Sequence, residues 1–453
     1  AQYHGQAGGT TTGSDRAFDE GQRREIRANL VALGVKVVPQ DGSFPEAFAG
    51  RTCDAVVVST AVEEKVPDIA AARRAGIPIL HRSELLARYV ASHSTIAVSG
   101  TSGKSTVTAM VFSILRACGR GPGLLTGGPL AELVAAGHIG NAWAPEKAPA
   151  STEPPLLVIE ADESDGSLVR YEPWAGLILN LGLDHKEPAE IMAMFRTFRD
   201  NVTGPLVVAD DKNLEELKDG SELFGIGESD RPGTWAREVV LTGAGSTFEV
   251  EGVRFTLPVP GKYNVLNAVA AFAVCRKCGV SLEEMAPALA TFAGVSRRFQ
   301  TVGTASGVTV IDDFAHNPDK IAAALDAARP VVPGPDGRVL AVFQPHGFGP
   351  TRFLKNALVA TFRSSLVPED VLWMPEIYFA GGTVTKDISA ADLCADISAG
   401  GRDARFLESR DDLPEAIAAE ARPGDLVLVM GARDPSLTGF CRDILSQLEN
   451  EAG

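Results

Sequence analysis

The stretch Thr95-Ile96-Ala97-Val98-Ser99-Gly100-Thr101-Ser102-Gly103-Lys104-Ser105-Thr106 decides the architecture. An apolar strand over Thr95–Ser99 runs into a glycine-rich turn, and a helix is expected to follow. Glycines there let backbone N–H groups approach phosphate oxygens, and the helix presents its positive end to them. Lys104 is the cation expected at the β- and γ-phosphates, and the Ser105 hydroxyl is placed to reach Mg2+. The spacing is two residues shorter than the usual Walker A string. Gly100, Thr101, Ser102, Gly103, Lys104, Ser105 and Thr106 are therefore read as a phosphate loop, and the chain as a nucleotide binder.

Outward from this loop, other strand ends carry chemistry. Leu156–Glu160 is an apolar run closed by Glu160-Ala161-Asp162-Glu163-Ser164-Asp165, which puts carboxylates at the edge where parallel sheets bind ligands. Hard oxygen ligands of this kind suit Mg2+. The strand Leu177–Asn180 leads to His185, whose neutral imidazole is a candidate metal ligand at the same edge. Pro260-Gly261-Lys262-Tyr263-Asn264 opens a helical run over Val265–Cys278. Asn264 and Asn267 share one face of it, with amides able to meet an adenine edge. Arg297-Arg298 follows, and a guanidinium fork suits a phosphate arriving from another domain. Ile311-Asp312-Asp313-Phe314-Ala315-His316-Asn317-Pro318 ends a further strand with two acids and an imidazole.

At 453 residues the chain is long enough for about three domains. Short apolar strands alternate with helical segments throughout, the pattern of parallel α/β sheets. The expected division is 1–89, 90–296 and 297–453. The first block holds a helix at Gln22–Leu33 and strands at Val35–Val38, Ala55–Ser59 and Ile77–Leu80, and it begins abruptly, as though its first strand were missing. Ala142–Pro155, rich in Pro and Ala, reads as a surface loop. The third block has strands at Val308–Asp312, Val339–Phe343, Val371–Met374 and Leu426–Met430. A net charge of −16 argues against a nucleic-acid partner. No apolar run reaches the ~20 residues of a membrane span, and no export signal is seen. Of six cysteines only Cys275 and Cys278 are close together, in an Ala/Val-rich helical stretch where packing is the expected role; a reduced, cytoplasmic protein is expected.

Taken in order, these strings resemble the Mur ligase superfamily over essentially the whole chain, most of all its alanine-adding branch. Gly13-Ser14-Asp15, Val57-Val58-Ser59-Thr60-Ala61 and Ala75-Gly76-Ile77-Pro78-Ile79 look like its UDP-sugar domain. Glu160-Ala161-Asp162-Glu163-Ser164-Asp165 and Phe343-Gln344-Pro345-His346 resemble strings of that branch, whereas Arg297-Arg298-Phe299 and Asp312-Asp313-Phe314-Ala315-His316 are shared more widely. The resemblance implies an N-terminal Rossmann-like UDP-binding domain, a central P-loop ATPase-like parallel sheet and a C-terminal Rossmann-like domain. It implies an ATP- and Mg2+-dependent ligase of peptidoglycan precursor synthesis, joining UDP-N-acetylmuramate to L-alanine, as a monomer or homodimer.

Residue by residue, the resemblance implies that Lys104 and Ser105 hold ATP phosphates and Mg2+, and that Glu160 and His185 form a metal-binding pair beside the γ-phosphate. Asn264 and Asn267 occupy the adenine-contacting motif. Arg298 and Asp313 close over the nucleotide, with Asp313 near the ribose, His316 near the active centre and a hinge near Arg297. Ser14, Asp15 and Ser59 belong to the UDP-sugar site, and His346 and Arg352 to the incoming amino acid. The chain departs from the family at three places. The family's first strand and Gly-rich loop would precede Ala1. Ser102 stands where the alanine-adding members carry His, and Pro345-His346-Gly347-Phe348-Gly349-Pro350-Thr351-Arg352 replaces a Pro-His-Arg-Tyr-Thr-Arg string. Between His185 and Lys212 the only lysine is Lys186, so the carbamylated lysine of sister ligases has no counterpart. Another amino acid or a preformed peptide as acceptor, a phosphotransferase, and a nucleotide-binding module without turnover are the competing readings.

Overall fold

Ten strands make the sheet that positions everything else. The computed structural model describes residues 1–45, 53–59, 62–146, 153–182, 186–332, 334, 336–379 and 385–451. Ahead of the large sheet lie two parallel pairs: β1 (Thr12–Gly13) with β2 (Lys36–Val37), and β3 (Val56–Val58) with β4 (Ile79–His81). Phe44, Ala71 and Ala72 form the small core beneath them. A short N-terminal helix, Gln2–Gln6, fastens this region to the next, with Gln2 Nε2 donating to Ala142 O at 2.8 Å.

The central strands are β5 (Ser94–Ser99), β6 (Gly123–Leu125), β7 (Ala142–Trp143), β8 (Leu156–Glu160), β9 (Ala175–Ile178), β10 (Leu206–Ala209), β11 (Glu222–Ile226), β12 (Gly233–Thr242), β13 (Gly245–Val250) and β14 (Val253–Leu257). Their order is β14-β13-β12-β11-β10-β9-β5-β8-β6-β7. From β12 through β6 the pairing is parallel. Helices Lys104–Ala117 and Lys262–Lys277 pack on one another and on this sheet. Their Ala- and Val-rich sides are buried almost all round, which is why the second shows no clear amphipathic stripe. Cys275 lies within that buried surface, and all six cysteines are free thiols.

Two expectations are corrected here. Ala142–Pro155 does not begin as a loop: Ala142–Trp143 adds an antiparallel edge strand to β6, with Ala142 nearly buried. The central sheet is also not wholly parallel, because β12–β14 continue it as antiparallel hairpins. Phe248 and Phe255 from these hairpins stack at 5.5 Å over Phe272 of the long helix, so tertiary burial holds strands whose polar alternation is irregular.

The last sheet runs β15-β16-β20-β17-β18-β19, made of Gln300–Ala305, Val308–Asp313, Leu426–Gly431, Val339–Gln344, Val371–Pro375 and Asp403–Leu407 in that spatial order. Only β15 is antiparallel. Alternate residues face opposite cores. Leu426, Leu428 and Met430 join one, and Val427 and Val429 the other, so helices cover both faces. No helix among the described residues is long and apolar enough to cross a membrane.

Candidate active site

Four neighbouring strands, β9, β5, β8 and β6, end at the same edge and deliver the site. The phosphate loop leaves β5, and its glycines are required by geometry. Gly103 has φ of 86°, and a Cβ there would lie 2.6 Å from Asn267 Oδ1. Gly100 has φ of 139°, with Leu179 crowding it at 2.9 Å. Asn180, just beyond β9, braces the loop from the side. Its Oδ1 accepts from Thr101 Oγ1 and from Ser102 N, each at 2.8 Å, while its Nδ2 donates to Ser102 O at 3.0 Å.

Glu160 closes β8 and gathers donors from two directions. Its Oε2 accepts from Gly127 N at 2.8 Å, Thr126 Oγ1 at 3.0 Å and Ser105 Oγ at 3.0 Å. Lys104 Nζ reaches Gly100 O at 2.8 Å, Glu163 Oε2 at 2.6 Å and Asp162 Oδ1 at 3.3 Å. Burial works against the Lys104 charge, but Glu163, Asp162 and Glu160 outweigh it and hold the ammonium above its ordinary value. Ser105, Thr126 and Glu160 supply hard oxygens within one hydrogen-bond radius, a set that fits Mg2+. Mg2+ commonly takes one or two carboxylates and completes its shell from phosphate and water.

Asn264 and Asn267 both line the cavity, buried and bonded to each other at 3.3 Å. Asn267 lies against the phosphate loop, its Oδ1 beside Gly103.

The third domain supplies the opposite wall. Arg297 is rooted there: its guanidinium binds Asp312, Gly431 O at 2.8 Å and Asp434 O at 3.1 Å. Arg298, next in sequence, turns to the cavity and lies 4.8 Å over the Phe314 ring. Arg297 and Phe299 both hold left-handed backbone, at φ of 58° and 52°. That geometry costs about 1–2 kcal/mol per non-glycine residue. Asp313 holds the turn, with Oδ2 accepting from Phe299 N at 2.6 Å and Oδ1 from Ala315 N at 2.7 Å. His316 and His346 face one another with ring centroids 5.4 Å apart. Together the two domains enclose about 540 Å³, within the range of small-ligand sites. A smaller apolar recess of about 200 Å³ adjoins it at His316 and His346, walled by Phe343, Pro350 and Leu354.

Burial raises Asp313 to about 6, against the pull of Arg298 and two backbone N–H groups. A raised carboxyl contributes stability that is complete below its unfolded value, near 3.8, and is lost as pH rises through about 6. Across that window the parent should lose about 3 kcal/mol of unfolding free energy relative to Asp313→Asn. Urea melts at pH 4 and 6.5 check this; parallel slopes for the two proteins would refute it.

Ser14 bonds Asp68 and Asp15 caps the helix Arg16–Asp19, both in the first domain, where the UDP-sugar site is expected, as is Ser59. Arg352 does not enter the cavity or the recess. It pairs with Asp387 and Thr385 O, with its side chain 44% exposed. His185 lies outside the described residues. Conversely, Asn180, Thr126 and Gly127 were not singled out. Their signal was position alone, at the ends of strands that border the phosphate loop.

Compared with known proteins, the chain is 36% identical to UDP-N-acetylmuramate–L-alanine ligase of Cutibacterium acnes over 94% of this chain and 89% of that one. The chain belongs to the Mur ligase family. A Mur ligase of the same description from Sorangium cellulosum is also 36% identical, over 97% of this chain and 91% of its own. Three Mur ligase family models match in turn: the family's catalytic domain at residues 1–94, the middle domain at 98–275, and the glutamate ligase domain at 297–433. Among solved structures, the UDP-N-acetylmuramate–alanine ligase of Thermotoga maritima superposes with a TM-score of 0.73. It is 24% identical and covers 96% of this chain and 95% of its own, a likeness of Mur ligase fold.

Proposed function

We propose that this Mur ligase joins the carboxylate of UDP-N-acetylmuramate to the amine of L-alanine, with ATP converted to ADP and phosphate. The names of the similar proteins support the substrates, and one observation carries the chemistry. Lys104, Ser105 and Glu160 meet at one sheet edge, and Arg298 and Asp313 face them across the same cavity.

The sugar carboxylate attacks the γ-phosphorus, the bond to ADP breaks, and an acyl phosphate forms. The neutral amine then attacks the acyl carbon and phosphate leaves. Lys104 and Arg298 balance charge on the transferring group. Ser105 and Glu160 would hold Mg2+, with His185 joining them as the family resemblance implies, and the ion would supply charge neutralisation for the transferring phosphate. Asn264 and Asn267 fix the nucleotide, Asp313 lies toward its ribose, and His316 and His346 stand at the acceptor side. Enclosure between two domains shields the acyl phosphate from water. Ser14, Asp15 and Ser59 serve the UDP-sugar, with domain limits near residues 89 and 296. The enzyme works in the cytoplasm, as monomer or homodimer.

The test is phosphate release from ATP and Mg2+ with UDP-N-acetylmuramate and each of twenty amino acids or small peptides. The expected result is release only when both the sugar and L-alanine are present. Release with the sugar alone, or with a peptide in preference to alanine, overturns the assignment.

A further inference from the structure

The string after β8 ends in Asp162, Glu163 and Asp165, residues that the chemistry above leaves without a task. Lys104 Nζ carries three hydrogens, and the protein already engages all three directions through Gly100 O, Glu163 and Asp162. The Glu163 side chain is 4% exposed, so its ion pair with Lys104 is screened little by solvent. The turn that carries it is braced. Asp162 accepts from Ser164 Oγ at 2.7 Å, and Asp165 accepts from Ser167 N at 2.9 Å and pairs with Arg82 of the first domain at 2.7 Å. A triphosphate settling on the loop brings anionic oxygens to the same ammonium, and therefore to the same carboxylate.

We propose that Glu163 is a positioning residue, a latch that holds Lys104 over the phosphate loop and shares the ammonium with phosphate when nucleotide binds. It trades nucleotide affinity for orientation of the cation. Replacing the carboxylate by an amide keeps an acceptor for Lys104 but removes the charge that competes with phosphate. This rests on the reading of Lys104 as a phosphate ligand.

The test is equilibrium binding of ADP to the full chain, without Mg2+ so that the metal plays no part, together with steady-state kinetics. Glu163→Gln should bind ADP about tenfold more tightly, because a like charge beside the phosphates is gone. Its kcat should fall about tenfold, because Lys104 is no longer held in line. The KM for the UDP-sugar should not move, and Glu163→Asp should return ADP affinity toward the parent. A residue of merely structural importance would lower kcat and melting temperature with ADP affinity unchanged or weaker, and that result overturns the latch. Should Glu163→Gln not fold, the less buried Asp162→Asn carries the same comparison, with about a threefold tightening expected; no tightening overturns the proposal. A parent chain that binds no ADP would overturn the reading of Lys104 along with it.

Discussion

Lys104→Ala should lower kcat/KM by about a thousandfold or more, the scale on which a single preorganised charge at the transferring group acts. The structure adds a complication that the measurement must separate. Removing the ammonium strands Glu163 as a buried carboxylate, and an unpaired buried charge costs about 3–5 kcal/mol of stability. Lys104→Ala should therefore be inactive and also melt early. Adding Glu163→Gln should restore most of the melting temperature and none of the turnover. Initial rates and thermal melts of the single and double variants check this. Turnover within tenfold of the parent in either would remove Lys104 from the chemistry.

The second large effect is at Glu160. Glu160→Gln can keep the local fold, since one amide oxygen still accepts from Gly127 N and Thr126 Oγ1 while the NH2 turns to the Ser105 hydroxyl. It cannot offer an anionic oxygen. The expected outcome is a loss of about 100- to 1000-fold in kcat/KM at low Mg2+. Added Mg2+ should recover part of it, and the melting temperature should stay close to the parent's. Rates followed across a Mg2+ titration decide it. An unchanged half-saturating Mg2+ concentration would show that Glu160 only holds the loop after β6.

Much of this was legible in the chain because the deciding signals are local. Thr95–Thr106 reads as strand, turn and helix from residues in sequence, and the glycine positions match the crowding found at Gly100 and Gly103. Parallel strands such as Leu206–Ala209 stand out because burial on both faces makes them continuously apolar. What was not legible depends on neighbours in space. The β12–β14 hairpins hold together through aromatic stacking on a distant helix, and Ala142–Trp143 is a strand only because β6 offers it an edge. The site follows the same division. Lys104, Ser105, Glu160 and Arg298 sit in strings that announce phosphate chemistry, whereas Asn180 acts through a side chain 78 residues away from its partner Ser102. Arg352 is another such case: the helix Phe348–Ser365 carries it beside Asp387, a pairing that its own string does not announce.

The backbone around Arg298 limits how the third domain can swing. On one side, Ala131 N binds Gly294 O at 3.1 Å and Ser296 N binds Pro129 O at 2.8 Å, tying the chain to the middle domain. On the other, every guanidinium bond of Arg297 and the amide of Phe299 are tied to the last sheet and its loops. Between these anchors Arg298 N binds Val295 O at 3.1 Å, closing a turn across the Ser296–Arg297 link, so any swing of the third domain would carry Arg298 with it.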